Sequence, residues 1–248
     1  MHELVLHFQP TVDLRTETIT GFEALARWQH PTRGLLAPRE FIPLAERTGL
    51  IVPLGAWVLR EACRAAVELR TPWQHPMMSV NVAAQQVARP DFVDVVVHAL
   101  YESGLAPELL ALEITESALL EDMDGAVHRL QALRDLGVHV AIDDFGTGYS
   151  SLAYLSRLPV DILKVDKVFV DRLGEEQHEN TVTEAIFAMS RTLRLTSVAE
   201  GVEQPAQAAW LESAACTLGQ GYLWSRPVAL DRAHDLLRTG VPRQRTAP

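Results

Sequence analysis

The amino-acid sequence predicts an α/β fold in which about eight strands close into a (β/α)8, TIM-like barrel. Three observations carry that prediction. Strand-like and helix-like runs alternate from one end of the chain to the other. Several of the strand-like runs are apolar, as strands covered by helices on both faces are. The chain has 248 residues, 48% of them hydrophobic, which suits a barrel better than an open doubly wound sheet. No G-x-G-x-x-G or G-x-x-x-x-G-K-[ST] follows a strand, so the fingerprints of dinucleotide and P-loop sites are lacking.

The elements follow in order. "LVLHFQPTVDL" (4–14) and "ITGFEALARW" (19–28) flank the turn "RTET" and read as a hairpin. This is a departure, because a regular barrel opens with parallel strands. Helices are expected at 39–49 and 54–70, then a strand at 77–82. The helix at 92–104 begins after Pro90 and stops at Gly104, a common C-cap choice. Strand and helix then repeat: 109–115 with 123–137, 138–145 with a short helix near 150–158, 161–167 with 180–194, and 196–202 with 205–215. A last strand is expected at 221–228 and a last helix at 230–238, ahead of a Pro-rich tail that should fray. The whole of 1–248 reads as one domain, with 230–248 as its terminal helix and tail.

Composition narrows the function. Lys and Arg total 22 against 32 Asp and Glu, a formal net charge of −10. Such a chain lacks the basic surface that binding to DNA or RNA polymers requires. It also repels an anionic ligand at long range unless cations intervene. No apolar run approaches the ~18–20 residues of a bilayer span, and "MHELVLHFQP" is not a signal peptide. Cys63 and Cys216 lie far apart in apolar, helix-like contexts, so buried free thiols in a reducing compartment are expected. The expected setting is cytoplasmic, with no membrane contact within the chain, either alone or as the cytoplasmic part of a larger membrane-anchored protein.

Barrels of this kind carry their chemistry at the C-terminal ends of the strands. Those ends offer Glu23, then Asn81, then Glu113 with Glu116, then Asp143 with Asp144, then Lys164 with Asp166, then Glu200 with Glu203. Residues two apart on a strand share a face, so Glu23, Leu25 and Arg27 point one way, and Lys164 and Asp166 are expected to do the same. Each residue alone has a bland reading. Glu23 can pair with Arg27, Asn81 can be a turn residue, and Glu113 with Glu116 can open a helix capped by Thr115 or Ser117. Lys164 and Asp166 can neutralise each other, and Glu200 with Glu203 can be a solvated loop. Together they place a surplus of carboxylates at one barrel mouth, with Lys164 and Arg27 as the obvious cations. That surplus is costly without compensation. Hard divalent ions such as Mg²⁺ or Mn²⁺ would supply it, since they take carboxylate, amide and water oxygens. Asp143 beside Asp144 is placed to bridge two ions ~4 Å apart, as in two-metal phosphodiester hydrolysis. The loop "FGTGYSS" follows, with Gly146 and Gly148 permitting unusual backbone angles; an ordinary β-to-α turn reads equally well.

"FEALARW" at 22–28 carries the signature of the EAL family of cyclic di-GMP phosphodiesterases, and the chain resembles that family throughout 3–230. "FQPTVDL", "RWQHPTRGLLAPREFIPLAERTGLI", "SVNVAAQQ", "LEITES", "DDFGTGYSSL", "LPVDILKVDK", "VAEGVE" and "GQGYLWSRP" are similar to family motifs in family order. The resemblance implies a modified barrel with one antiparallel strand near the N-terminus, which accounts for the opening hairpin. It implies metal ligands at Glu23, Asn81, Glu113, Asp143, Asp144 and Glu200, with Asp166 at a second metal site. It implies that Lys164 orients or deprotonates the attacking water, and that Glu116 anchors the loop after the paired aspartates. Gln9, Leu25, Arg27, Glu203 and Gln220 are implied in substrate binding. It further implies hydrolysis of cyclic di-GMP to linear pGpG, a homodimer, and upstream sensor or GGDEF domains. Ala83, Gln204 and Trp224 depart from common family choices, and none of them is an implied ligand. Two other readings stand beside this one: a cyclic di-GMP receptor with negligible turnover, and a Schiff-base lyase using a strand-end lysine.

Overall fold

The computed structural model of the protein describes residues 3–116, 118, 123–146, 155, 157–173 and 177–241. Its strands are β1 (Leu4–Asp13), β2 (Ile19–His30), β3 (Gly34–Leu36), β4 (Met77–Asn81), β5 (Leu110–Thr115), β6 (His139–Phe145), β7 (Ile162–Val165), β8 (Thr196–Ala199) and β9 (Leu218–Gln220). Its described helices are α1 (Ile42–Arg47), α2 (Ile51–Glu68), α3 (Ala84–Val87), α4 (Phe92–Ser103), α5 (Met123–Asp135), α6 (Lys167–Asp171), α7 (Gln177–Thr192), α8 (Pro205–Ser213) and α9 (Leu230–Thr239). The sheet runs β1-β9-β8-β7-β6-β5-β4-β2, and β1 pairs back onto β2, so eight strands close into a barrel. β1 is antiparallel to both neighbours, and the other barrel pairings are parallel. This is the expected modified barrel with one reversed strand.

The pleat sorts side chains into two populations. Outward-facing Leu110, Leu112, Ile114, Val140, Ile142, Leu163 and Val165 are buried under the helices. α2 packs over β4 and against α4, and its buried Val58, Leu59, Ala62 and Ala66 lie on one helix face by their three- and four-residue spacing. Inward-facing Ala111, Ala141, Ile162 and Val198 pack with Met77 and Leu218 into a separate apolar plug. Two residues further along the same strands, the pleat returns Glu113, Asp143, Lys164, Glu200 and Gln220 to the barrel axis. An apolar floor therefore lies directly beneath a polar layer.

Four expectations need correction. The last barrel strand is β9 at Leu218–Gln220, not 221–228; Val228 makes only an isolated bridge to Phe8. Tyr222, Leu223 and Trp224 favour strand by composition, but the chain turns there because Gly221 lies against the backbone of Val202. The Leu223 amide donates to the Val202 carbonyl at 3.0 Å, and the Val202 amide to the Gln220 carbonyl at 3.0 Å. The strand expected at 161–167 stops at Val165; Asp166 caps α6, its carboxylate accepting from the Val168 amide at 2.7 Å. Lys164 and Asp166 thus do not share a strand face. The helix expected at 39–49 is a 3-10 turn (Pro38–Glu40) followed by α1, with β3 and α3 also unforeseen. Gly104 ends α4 in the left-handed conformation as expected, at φ 70°. Gly148, most of the short helix near 150–158 and the tail after 241 lie outside the described residues.

A Cβ at Gly221 would sit 2.0 Å from the Val202 carbonyl oxygen. Gly221→Ala is therefore expected to destabilise the fold by about 2–4 kcal/mol, read by urea unfolding. An unchanged unfolding midpoint would show that the 220–223 turn is not packed as described.

Candidate active site at the barrel mouth

All four charged side chains that are buried among the described residues, Glu23, Glu113, Asp143 and Lys164, stand together in the polar layer. β7 delivers Lys164 to the barrel axis. Its ammonium lies 2.7 Å from Glu113 Oε2, 2.6 Å from Glu200 Oε1, 3.1 Å from Asp143 Oδ1 and 3.8 Å from Glu23 Oε2. One ammonium faces four carboxylates. Burial by itself would lower the lysine pKa, but Glu113, Glu200, Glu23 and Asp143 outweigh it and raise it well above the ordinary value. The imbalance returns to the acids. Burial, with Glu23 and Asp143 adding repulsion, holds the Glu113 pKa well above the carboxylate range, against the pull of Lys164. Burial also lifts Glu200, to about 8, again against Lys164 and with Asp143 and Glu23 contributing.

Glu23 is held at both oxygens. The Asn81 amide donates to Oε1 at 2.6 Å and the Gln220 amide to Oε2 at 2.6 Å. Gln220 also donates to Gln9 at 3.3 Å, and Gln9 donates to the Ser225 carbonyl at 3.2 Å. These links tie β2, β4, β9 and β1 across the barrel mouth.

Asp143 and Asp144 are adjacent, so a regular strand would point them to opposite faces. The register of β6 against β7 slips between Ile142 and Phe145, and Asp144 has φ 53°. This bulge turns the second carboxylate back, and oxygens of Asp143, Asp144 and Glu200 converge within 4.8 Å of one another. Partial burial and the Asp143 and Asp166 carboxylates, the latter through a hydrogen bond, push the Asp144 pKa up to about 6. Asp143 Oδ1 is buried and makes no aligned hydrogen bond, the Lys164 ammonium at 3.1 Å notwithstanding. A buried carboxylate oxygen that is ion-paired but accepts no hydrogen bond, beside two more converging carboxylates, is a donor set a hard cation takes. The residues fit a divalent ion.

The cavity above is about 390 Å³, walled by Gln9, Glu23, Leu25, Asp143, Lys164, Lys167, Glu200, Gly201, Glu203, Gln220, Gly221 and Tyr222. A second, more apolar cavity of about 590 Å³ adjoins it and shares Glu23 and Leu25. The structure therefore gathers Glu23, Asn81, Glu113, Asp143, Asp144, Lys164 and Glu200, with Gln9, Leu25 and Gln220 beside them. Other implied residues stand further out. Arg27 is half-buried and donates to the Ala26 carbonyl at 2.9 Å, outside the cavity wall. Asp166 faces Asp144 from the cap of α6. Glu116 directly follows β5, and the loop it was expected to anchor lies outside the described residues. Glu203, by contrast, lines the cavity, and its carboxylate accepts from Lys167 at 2.5 Å. Lys167 and Tyr222 are cavity residues that the strand-end reading missed, because they follow the β7 and β9 ends instead of occupying them.

The EAL domain family model matches residues 1–227. The chain belongs to the EAL domain family. The domain is 48% identical over 237 residues to the cyclic di-GMP phosphodiesterase NbdA of Pseudomonas aeruginosa, covering 95% of this chain and 30% of that protein. It is 45% identical over 232 residues to the bifunctional diguanylate cyclase/cyclic di-GMP phosphodiesterase MucR of the same organism, covering 93% of this chain and 34% of that one. The chain thus spans about a third of these curated relatives. The solved PaMucR phosphodiesterase in its c-di-GMP complex superposes with TM-score 0.88 at 45% identity, covering 93% of this EAL domain and 94% of that chain. No described helix is long and apolar enough to cross a membrane. Cys63 and Cys216 are buried free thiols, and burial raises their pKa values to about 12 and about 11.

Raised acids cost stability at high pH. Glu113 and Glu200 contribute fully below the unfolded pKa of roughly 4.3, and the contribution is lost as pH rises through the folded value, about 8 for Glu200. The melting midpoint of the metal-free EAL domain is expected to fall between about pH 6 and about pH 8.5, less so in Glu200→Gln. Mn²⁺ is expected to raise it more at the upper pH, where the acids are free to bind. Equal slopes in both proteins would remove Glu200 as the source.

Proposed function

We propose that this EAL domain hydrolyses one phosphodiester bond of cyclic di-GMP to linear pGpG with Mg²⁺ or Mn²⁺, two ions in all. The observation that supports it most is the convergence of Asp143, Asp144 and Glu200, with Asp143 Oδ1 buried and accepting no hydrogen bond beside the Lys164 ammonium. The names of the similar proteins point to the same ligand. Glu23, Asn81, Glu113, Asp143, Asp144, Glu200 and Asp166 would hold the ions. A bound divalent ion would supply Lewis acidity and a water of lowered pKa.

The chain's own groups have defined tasks. A water oxygen adds to phosphorus and the P–O3′ bond breaks, leaving a 5′-phosphate and a 3′-hydroxyl. Lys164 orients that water as a hydrogen-bond donor. Without bound ions the four carboxylates keep the ammonium charged, which disfavours the Schiff-base lyase, whose lysine must be neutral. The amides of Asn81 and Gln220 keep the Glu23 carboxylate aimed into the cavity. Arg27 reaches a phosphate oxygen as the ligand enters, and Leu25, Gln9, Gln220 and Glu203 line its path. A receptor without turnover would not need the complete acidic set this chain retains. A homodimer and upstream sensor or GGDEF domains are part of the same proposal; MucR, by its name, joins both activities in one protein.

Incubation with cyclic di-GMP and Mg²⁺ or Mn²⁺ is expected to yield pGpG, and EDTA to stop it. Glu23→Ala and Lys164→Ala are each expected to lower kcat by about a hundredfold or more. Product formation that survives EDTA, or wild-type turnover in both variants, would overturn the proposal.

A further inference from the structure

The cavity wall holds one aromatic side chain among the described residues, Tyr222, surrounded by charged and amide groups. Tyr222 is 49% exposed at the mouth, and the Arg226 guanidinium lies over one face of its ring, 4.1 Å from the ring centre. A cation on one face fixes the ring and leaves the other to a ligand. The backbone beneath is equally constrained. Gly221 is pressed against Val202, and the amides of Trp224 and Ser225 return to the Gly221 carbonyl at 3.3 Å. The turn that carries Tyr222 is thus fastened to the segment between Glu200 and Glu203.

We infer that Tyr222, backed by Arg226, is the platform on which one planar base of the dinucleotide stacks, making Tyr222 a substrate-binding residue. The inference rests on the proposed phosphodiesterase reading and deepens it. The polar layer recognises phosphate, which every nucleotide shares. A flat, electron-rich ring beside it adds recognition of a planar base, because base–aromatic stacking acts through the π-face and not through hydrogen bonds. Arg226 does not line the cavity, so its part is to position the ring.

The test is the kinetics of cyclic di-GMP hydrolysis by the wild-type protein, Tyr222→Leu, Tyr222→Phe and Arg226→Ala, each with a thermal melt. Tyr222→Leu is expected to raise KM about ten- to a hundredfold with kcat little changed. Tyr222→Phe keeps the π-face and is expected to stay near wild type, and Arg226→Ala to give a smaller KM rise. The melts are expected to agree, because Tyr222 is half exposed. A Tyr222→Leu KM equal to wild type, or a loss in Tyr222→Phe as large as in Tyr222→Leu, overturns the inference while the phosphodiesterase reading stands. A wild-type protein that leaves cyclic di-GMP intact with Mg²⁺ and Mn²⁺ overturns both.

Discussion

The barrel mouth depends on a single buried ion-pair centre. Lys164 lies within 4 Å of Glu23, Glu113, Asp143 and Glu200, and it is the one cation in that layer among the described residues. Desolvating several charges is expensive, and such a centre persists only where hydrogen bonds and partners are nearly complete. Here they are complete at Glu23 and incomplete at Asp143. The raised pKa values of Glu113 and Glu200 favour protonation there, which relieves part of the excess, and a divalent ion would displace those protons. The same electrostatic strain that weakens the metal-free fold thereby prepares a cation site.

Backbone geometry decides which acids take part. The two-residue pleat lifts polar side chains above an apolar plug of Ala111, Ala141, Ile162 and Val198, so the floor stays dry and the layer above it charged. The bulge at Asp143–Asp144 supplies what a regular strand cannot, two consecutive carboxylates on one side. The turn at Gly221 brings the end of β9 onto the loop after β8, placing Gln220 against Glu23 and Tyr222 at the rim. The charged centre and the aromatic rim are joined through a few backbone contacts.

Much of this was legible in the sequence. Alternation of strand and helix, the opening hairpin and the polar strand ends pointed to the barrel and to the acids it gathers, since pleat and barrel topology place strand-end residues together. Asp166 was misread because a capping aspartate and a strand residue look alike in sequence, and only the hydrogen bond to Val168 separates them. Tyr222, Leu223 and Trp224 read as strand because their β-favouring side chains hid the close approach at Gly221, which is a tertiary contact. Lys167 was passed over for a similar reason: its place on the rim follows from the chain turning into α6 immediately after β7.

On the proposed reading, the carboxylates around Lys164 hold divalent cations, with Asp143 a shared ligand. Calorimetric titration of Mn²⁺ into the metal-free protein and into Asp143→Asn tests it most directly. Saturable binding by the wild-type protein is expected, with protons released to the buffer, and loss of most of that binding in Asp143→Asn. Equal binding by both proteins, or none by the wild type, would contradict it.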